Sequence, residues 1–199
     1  MRDAEGVVPY ILYEYGGAVM AKITVGVKLP DFTYNTPYKS GISIAETVKK
    51  CKKTAIVFLR YYGCPICQYD IHSFRENYYM IENVDGQMLV VLQSDREKLA
   101  NTLNRNDLPF DIICDPDMEL YRMFEIGKAS SMVKMMDFST VGKAAKATFK
   151  GMKHGEYEGE ELQLPALFVV DNEMNVTFAH YGKAAGDVPD IEKIADLLK

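Results

Sequence analysis

The stretch TAIVFLR, residues 54–60, is a near-continuous apolar run of strand length, the pattern of a strand buried on both faces of a sheet. Immediately after it the period changes: Cys67, Ile71, Phe74, Tyr78 and Ile81 recur at intervals of four, three, four and three, which predicts a helix with one buried face. MLVVLQ, 88–93, predicts another buried strand. Ser94-Asp95-Arg96-Glu97 then reads as a capping box opening a helix with Leu99 and Leu103 inward. DIIC, 111–114, predicts a short strand, followed by a helix that starts at Asp115-Pro116 and runs through Phe124 with Leu120 on its core side. This alternation predicts right-handed βαβ units.

Nearer the N-terminus, Ile23, Val25 and Val27 alternate with polar or small residues, predicting a first strand closed by Leu29-Pro30-Asp31, and residues 42–50 predict a short helix. ALFVVD and NVTFAH, 166–171 and 175–180, flank a short turn and predict a hairpin, after which Pro189 opens a last helix with Ile191, Ile194 and Leu198 inward. Residues 127–163 break the pattern. Five methionine or phenylalanine residues follow Met132 among lysines, and an acidic, glycine-containing run occupies 155–161, so this part reads as a partly helical insertion. Residues 1–21 read as an extension with little structural role, with Met20 the natural start, against the alternative of a folded arm.

With 199 residues, 48% of them apolar, the chain suffices for one substantial core, and a single domain over 22–199 is expected. A net charge of −5 argues against a nucleic-acid partner. No run approaches the roughly 18 apolar residues of a membrane span, so no membrane partner is expected. Glu14 interrupts the early apolar stretch, and Asp3 and Glu5 precede it, a poor match to a secretory signal; a cytoplasmic location follows as the expectation. Four cysteines, at 51, 64, 67 and 114, are too few and too unevenly spaced for a disulfide framework.

The chemistry concentrates where strand meets helix, at Cys64-Pro65-Ile66-Cys67. Cys64 falls at the helix start with Pro65 at the first helical position, and Cys67 lies on the inward stripe, so Cys64 is expected to be exposed with Cys67 underneath. Unpaired N–H groups and the positive end of the helix dipole favour a thiolate on Cys64, and Cys67, one turn deeper, is placed to resolve a mixed disulfide. The alternatives are two small buried hydrophobes and half of a metal site. Cys51, Cys114, His72, His154 and His180 offer no second ligand pair, so no metal or other cofactor is expected, and no histidine is given a catalytic role.

Leu164-Pro165 stands directly before ALFVVD. Proline is tolerated at the first residue of a strand, and X-Pro is where a cis peptide costs least. Strand, CPIC, helix and a proline opening a later hairpin strand together resemble the thioredoxin superfamily. LPDFTYNT, GCPIC, CDPDMELYRMF, ELQLPALFVVD and YGKAAGDVP, in that order over about residues 22–199, narrow the resemblance to the peroxiredoxin-like 2 branch of the AhpC/TSA-related proteins. The resemblance implies a thioredoxin-like α/β fold, a mixed central sheet flanked by helices with an insertion before the terminal hairpin. It also implies a cis-proline at Pro165 facing the cysteine pair across a substrate groove, and an antioxidant or thiol-redox role.

Departures from the peroxiredoxin pattern direct the choice of reaction. The family's P-x-x-x-T/S-x-x-C places Val57 and Tyr61 at its proline and threonine, and the arginine that commonly precedes the hairpin strand falls on Pro165. Dithiol-disulfide exchange is therefore the expected function, with Cys64 attacking, Cys67 resolving and a thioredoxin-type or other dithiol as reductant. The substrate is a protein or small-molecule disulfide, or a peroxide if the chain is an AhpC/TSA-type peroxidase; a non-catalytic binding module is the remaining alternative. Tyr61, Tyr62, Pro65 and Pro165 are expected to line the groove. Arg60 either stabilises the thiolate or is a solvent-facing strand-end charge. Lys49, Lys50, Lys52 and Lys53 surround Cys51 and read first as a solvated helix end, with a lowered Cys51 pKa as the alternative, while Cys114 reads as an inert core residue. Between Lys128 and Lys153 six lysines face one acid, Asp137, read as a solvated helix face ahead of an anion-binding lid or a partner surface.

Overall fold

A computed structural model describes residues 22–199. The expectation for residues 1–21 lies outside the described residues. Five strands form the central sheet: β3 (Lys53–Phe58), β4 (Gly86–Leu92), β5 (Asp111–Cys114), β6 (Ala166–Asp171) and β7 (Val176–Tyr181). Their order is β5-β4-β3-β6-β7. β3, β4 and β5 run parallel, while β6 is antiparallel to β3 and β7 antiparallel to β6, so the sheet is mixed. A separate antiparallel pair, β1 (Thr33–Tyr34) and β2 (Ile42–Ser43), was not foreseen from the sequence.

β3 lies at the centre, and its side chains divide by parity. Ala55, Val57 and Leu59 join the core layer that holds Cys64, Cys67, Phe74, Ile81, Ile194 and Leu198. Ile56 and Phe58 join the opposite layer with Ile44, Tyr121, Phe124 and Phe168. Both faces are covered, as an unbroken apolar strand requires.

Helix α2 (Pro65–Glu76) follows β3, and α3 (Tyr79–Glu82) follows α2. The single helix expected through Ile81 is thus two, divided at Asn77, although all five stripe residues are buried. Further helices are α1 (Ile44–Val48), α4 (Arg96–Thr102), α5 (Glu119–Met123), α6 (Phe138–Phe149) and α7 (Ile191–Leu198), with a short 3-10 turn at Val133–Met135.

Several helix starts differ from expectation because a cap acts from a different residue. Asp95, not Ser94, caps α4 by accepting from the Glu97 and Lys98 amides. Asp115 does not begin a helix; its carboxylate reaches forward to the Glu119, Leu120 and Tyr121 amides, and α5 starts only after Met118, whose φ is +57°. Asp190 caps α7, leaving Pro189 outside the helix, and Ser43 caps α1 two residues beyond the expected start. The strand expected at 23–27 is a turn-containing segment, with Gly26 at φ +88°. It touches the start of β7 through Gly26 N–H to the Val176 carbonyl and Lys28 opposite Asn175.

The cis peptide expected at Leu164-Pro165 is not present: all peptide bonds among the described residues are trans. Pro165 occupies a buried position just ahead of β6, and its carbonyl accepts from the Gly182 amide at 2.8 Å, extending the β6–β7 ladder. A proline at a strand start fits this extended backbone in trans, since it has no N–H for the ladder to lose.

Candidate active site

The chain leaves β3 along the sheet, with the Leu59 amide still bonded to the Val91 carbonyl, and then turns back at Tyr61, whose carbonyl accepts from the Cys64 amide. Tyr121, buried on the opposite layer, donates its hydroxyl to the Leu59 carbonyl at 2.5 Å and lies 3.0 Å from the Val91 carbonyl, holding the strand end from below. Cys64 is the N-cap of α2, with extended backbone (φ −75°, ψ 123°) and Pro65 beginning the helix. Its sulfur accepts from the Cys67 amide at 3.4 Å, the place a serine or aspartate oxygen takes in an ordinary cap. Cys67 lies beneath it, its sulfur 3.4 Å from the Arg60 amide.

Arg60 is buried, with its Nη2 donating to Cys64 Sγ at 3.0 Å. The solvent-facing alternative for this residue is thereby overturned. Hydrogen bonding from the Cys67 thiol, the nearby Arg60 guanidinium and the Cys67 amide together outweigh burial and draw the Cys64 thiol down to about 6. Burial, followed by the hydrogen bond to and charge on Cys64, pushes Cys67 far the other way. Two thiols three residues apart therefore have opposite characters, one a thiolate at neutral pH and the other a thiol.

Cys51 and Cys114 differ from that pair. Cys51 is raised, by partial burial and by Asp85, which outweigh Lys50, so the alternative of a lysine-lowered thiol does not hold. Cys114 is pushed up by burial to about 12, in keeping with an inert thiol.

Cys64 is fully buried, where the sequence predicted exposure. A part of the insertion without helix or strand is bonded to the residues on either side of it. The Gly155 amide donates to the Gly63 carbonyl at 2.8 Å, Gln68 Nε2 to the Lys153 carbonyl at 3.1 Å, and Arg60 Nη1 to the Glu161 carbonyl at 3.0 Å. Beside them, His154 Nε2 lies 3.0 Å from the Tyr61 hydroxyl, and the His154 and Tyr157 rings stack 4.2 Å apart. Tyr61 is wholly buried and its hydroxyl is pushed up, first by burial and then by Glu161. Tyr62 and Pro65 are half-buried on the rim, with the Tyr62 amide bonded to Ser94 Oγ. Val57 is a sheet residue between Val90 and Leu167.

The sequence reading missed Asp70, one helical turn beyond Cys67. Its carboxylate is buried, Oδ1 pairs with Lys143 Nζ of α6 at 2.7 Å and Oδ2 has no partner; burial pushes it up to about 6 despite the lysine. A signal was available, since a charge at 70 sits inside the apolar stripe 67-71-74. His154 and Glu161 carried no such signal, because nothing periodic marks a loop that packs through single contacts.

Among the described residues no group of three or more histidine, cysteine or acidic side chains is arranged to hold a metal ion, and no helix is long and apolar enough to cross a membrane.

The sequence profile of the AhpC/TSA family matches residues 25–179. No curated protein matches. Among solved structures, the chain is similar to peroxidoxin BcpB from Mycobacterium tuberculosis, with a TM-score of 0.63 and 13% identity over 87% of this chain and 95% of that one. It is also similar to a putative thiol:disulfide interchange protein DsbE from Chlorobium tepidum (TM-score 0.57, 14% identity, 89% and 100% covered) and to a peroxiredoxin-like protein from Aquifex aeolicus (0.61, 12%, 89% and 87%). At these identities the likeness is one of fold, a thioredoxin-like sheet flanked by helices.

Proposed function

The chain belongs to the AhpC/TSA family, and from the geometry at its paired cysteines we propose that it is a thiol-disulfide oxidoreductase in which Cys64 attacks and Cys67 resolves. The observation that carries this reading is the Arg60 guanidinium 3.0 Å from Cys64 Sγ, with a high-pKa thiol one turn beneath it. The Cys64 thiolate attacks one sulfur of a substrate disulfide; a mixed disulfide forms and the other substrate sulfur leaves as thiolate, taking a proton from solvent. Once Cys64 is consumed its charge no longer opposes ionisation of Cys67. Cys67 then loses its proton and attacks Cys64, which expels the second substrate thiol and leaves a Cys64–Cys67 disulfide. The substrate gains two electrons, and an external dithiol returns them to the pair. Tyr61, Tyr62, Pro65 and Pro165 are proposed to border the groove.

Family membership supports a second reading, peroxide reduction. There the thiolate attacks a peroxide oxygen, the O–O bond breaks, an alcohol or water leaves, and Cys67 condenses with the resulting sulfenate to release water. Valine and tyrosine stand at 57 and 61 where the peroxide-activating residues are expected, which favours exchange. Stopped-flow rates of the reduced protein with hydrogen peroxide and with a small disulfide separate the two. The exchange reading fails if peroxide reacts orders of magnitude faster.

A further inference from the structure

The segment beside the cysteine pair, KHGEYEGEE at residues 153–161, has no helix or strand, contains no buried residue and carries four carboxylates. It lies on cations and backbone groups of the body. Glu156 pairs with Lys98 Nζ at 2.7 Å and Glu158 with the same nitrogen at 3.6 Å; Glu158 also accepts from Ser94 Oγ. Glu160 pairs with Lys128 at 2.9 Å, its amide donating to Gln93 Oε1 at 2.5 Å, and Glu161 packs on Arg60. At the centre is a close backbone approach, in which the Gly63 carbonyl accepts from Gly155 and a Cβ on Gly63 would come 2.5 Å from the Glu156 carbonyl oxygen.

This seat is shaped for a peptide yet holds its occupant weakly. The Lys98–Glu156 and Lys128–Glu160 pairs are exposed and contribute little each, and no residue of the segment is itself buried. Glu161 Oε1 is buried with no hydrogen-bond partner among the described residues, a further cost of the closed state. Gly159, at φ +67°, supplies a turn near one end of the run. Cys64 is fully buried, so a disulfide reaches it only after a part of the surface moves, and this segment is bonded to Arg60, Tyr61, Gly63 and Gln68 around it.

We propose that residues 153–161 are a built-in pseudo-substrate strap, and that the surface beneath them, Arg60, Lys98 and Lys128 with the Gly63 carbonyl, binds an extended acidic segment of a protein partner. This deepens the oxidoreductase reading and rests on it for the partner's role as substrate: the acidic segment displaces the strap, pairs with the Gly63 backbone and brings its disulfide to Cys64. Small peroxides and small disulfides lack the charges to displace the strap and react with Cys64 only while it is lifted.

The test reads access to Cys64 by iodoacetamide alkylation at pH 7, with two cysteine-free probe peptides, one of sequence KHGEYEGEEL and one with lysine in place of each glutamate. The triple variant Glu156→Gln, Glu158→Gln, Glu160→Gln should be alkylated about tenfold faster than the wild type, the shift expected when several exposed pairs are lost together. Gly63→Ala, which displaces the strap sterically, should also accelerate alkylation. The acidic peptide should protect Cys64 in the triple variant and the lysine peptide should not. Equal alkylation of wild type and both variants, or equal protection by the two peptides, overturns the strap and its acidic partner. Turnover of bis(2-hydroxyethyl) disulfide by the triple variant separates the failures. Turnover without peptide discrimination sinks the strap alone, while peptide discrimination without turnover leaves the acidic site standing and sinks the oxidoreductase reading.

Discussion

Arg60 Nη2 stands 3.0 Å from Cys64 Sγ, and the same Arg60 offers its backbone amide to Cys67 Sγ at 3.4 Å. One residue at the end of a central strand thereby touches both sulfurs of a pair that the next helix presents. Leu59, just before Arg60, is held by the Val91 and Tyr121 bonds, and Arg60 Nη1 is also bonded to the Glu161 carbonyl, so both the backbone and the guanidinium of the bend after β3 are anchored beside the sulfurs.

Removing that cation should raise the Cys64 pKa. After the Cys67 hydrogen bond, Arg60 is the next influence stabilising the thiolate, and a neighbouring opposite charge shifts a pKa by about one to three units. In Arg60→Gln the inflection of the alkylation rate against pH should move up from near 6 by about one unit or more, with a slower rate at pH 6 to 7 in consequence. An unmoved inflection would show that the helix start and Cys67 alone set the thiolate.

Cys67→Ser keeps a hydrogen-bond donor near Cys64 but removes the resolving sulfur. Incubation with a disulfide substrate should trap a covalent mixed disulfide on Cys64, visible as a mass increase reversed by dithiothreitol, and the reverse variant Cys64→Ser should trap little because Cys67, about as buried as Cys64, is held protonated by that burial where Cys64 is drawn down to about 6. Equal trapping by both variants would remove the asymmetry on which the assignment of roles stands.

The parts legible in the sequence were those written as periodic patterns. Near-unbroken apolar runs marked β3, β4 and β6, and the 67-71-74-78-81 stripe marked the buried face of α2 and its continuation. Cys64 and Cys67 could be placed at the strand-helix junction from those two patterns alone. Features set by single long-range contacts were not legible. The strap has no period, Asp115 caps a helix four residues ahead of itself, and nothing local decides the isomer at Pro165. Arg60 was ambiguous for the same reason: parity with Ile56 and Phe58 points its side chain to the layer opposite Cys64, and only the bend that follows β3, with the Glu161 carbonyl and Cys64 sulfur as partners, places it beside the pair.

Proton linkage gives a prediction of definite sign. Reduced Cys64 titrates near 6 in the folded chain, below its ordinary value of about 8.5, so between those values the unfolded chain binds more protons. Its contribution to stability is full above about 8.5 and is lost as pH falls through about 6. The stability difference between reduced wild type and Cys64→Ala, from urea titrations, should therefore grow in favour of the wild type from pH 6 to 8. Asp70 acts with the opposite sign, because burial raises it to about 6: the folded chain holds the extra proton, and its contribution falls as pH rises from about 4 to 6. The corresponding difference between wild type and Asp70→Asn should fall across that lower window. A flat difference in either window contradicts the environment assigned to that residue.

Tyr121 tests whether the thiolate depends on the strand end being held from the opposite layer. Its ring is buried against Phe58, and its hydroxyl is the donor to the Leu59 carbonyl, one residue before Arg60. Tyr121→Phe keeps the ring and deletes the donor, leaving the Leu59 carbonyl without that bond; the Val91 carbonyl still accepts from the Leu59 amide. An unsatisfied buried acceptor costs about 1 to 3 kcal/mol, so thermal unfolding should move down by several degrees, at about 2 to 4 °C per kcal/mol for a chain this size. The Cys64 alkylation inflection should stay near 6, because Arg60 Nη2, the Cys67 amide and the Cys67 thiol are untouched by the substitution. An inflection shifted as far as in Arg60→Gln would mean instead that the guanidinium is aimed by the Tyr121 bond, making Tyr121 a positioning residue for the thiolate.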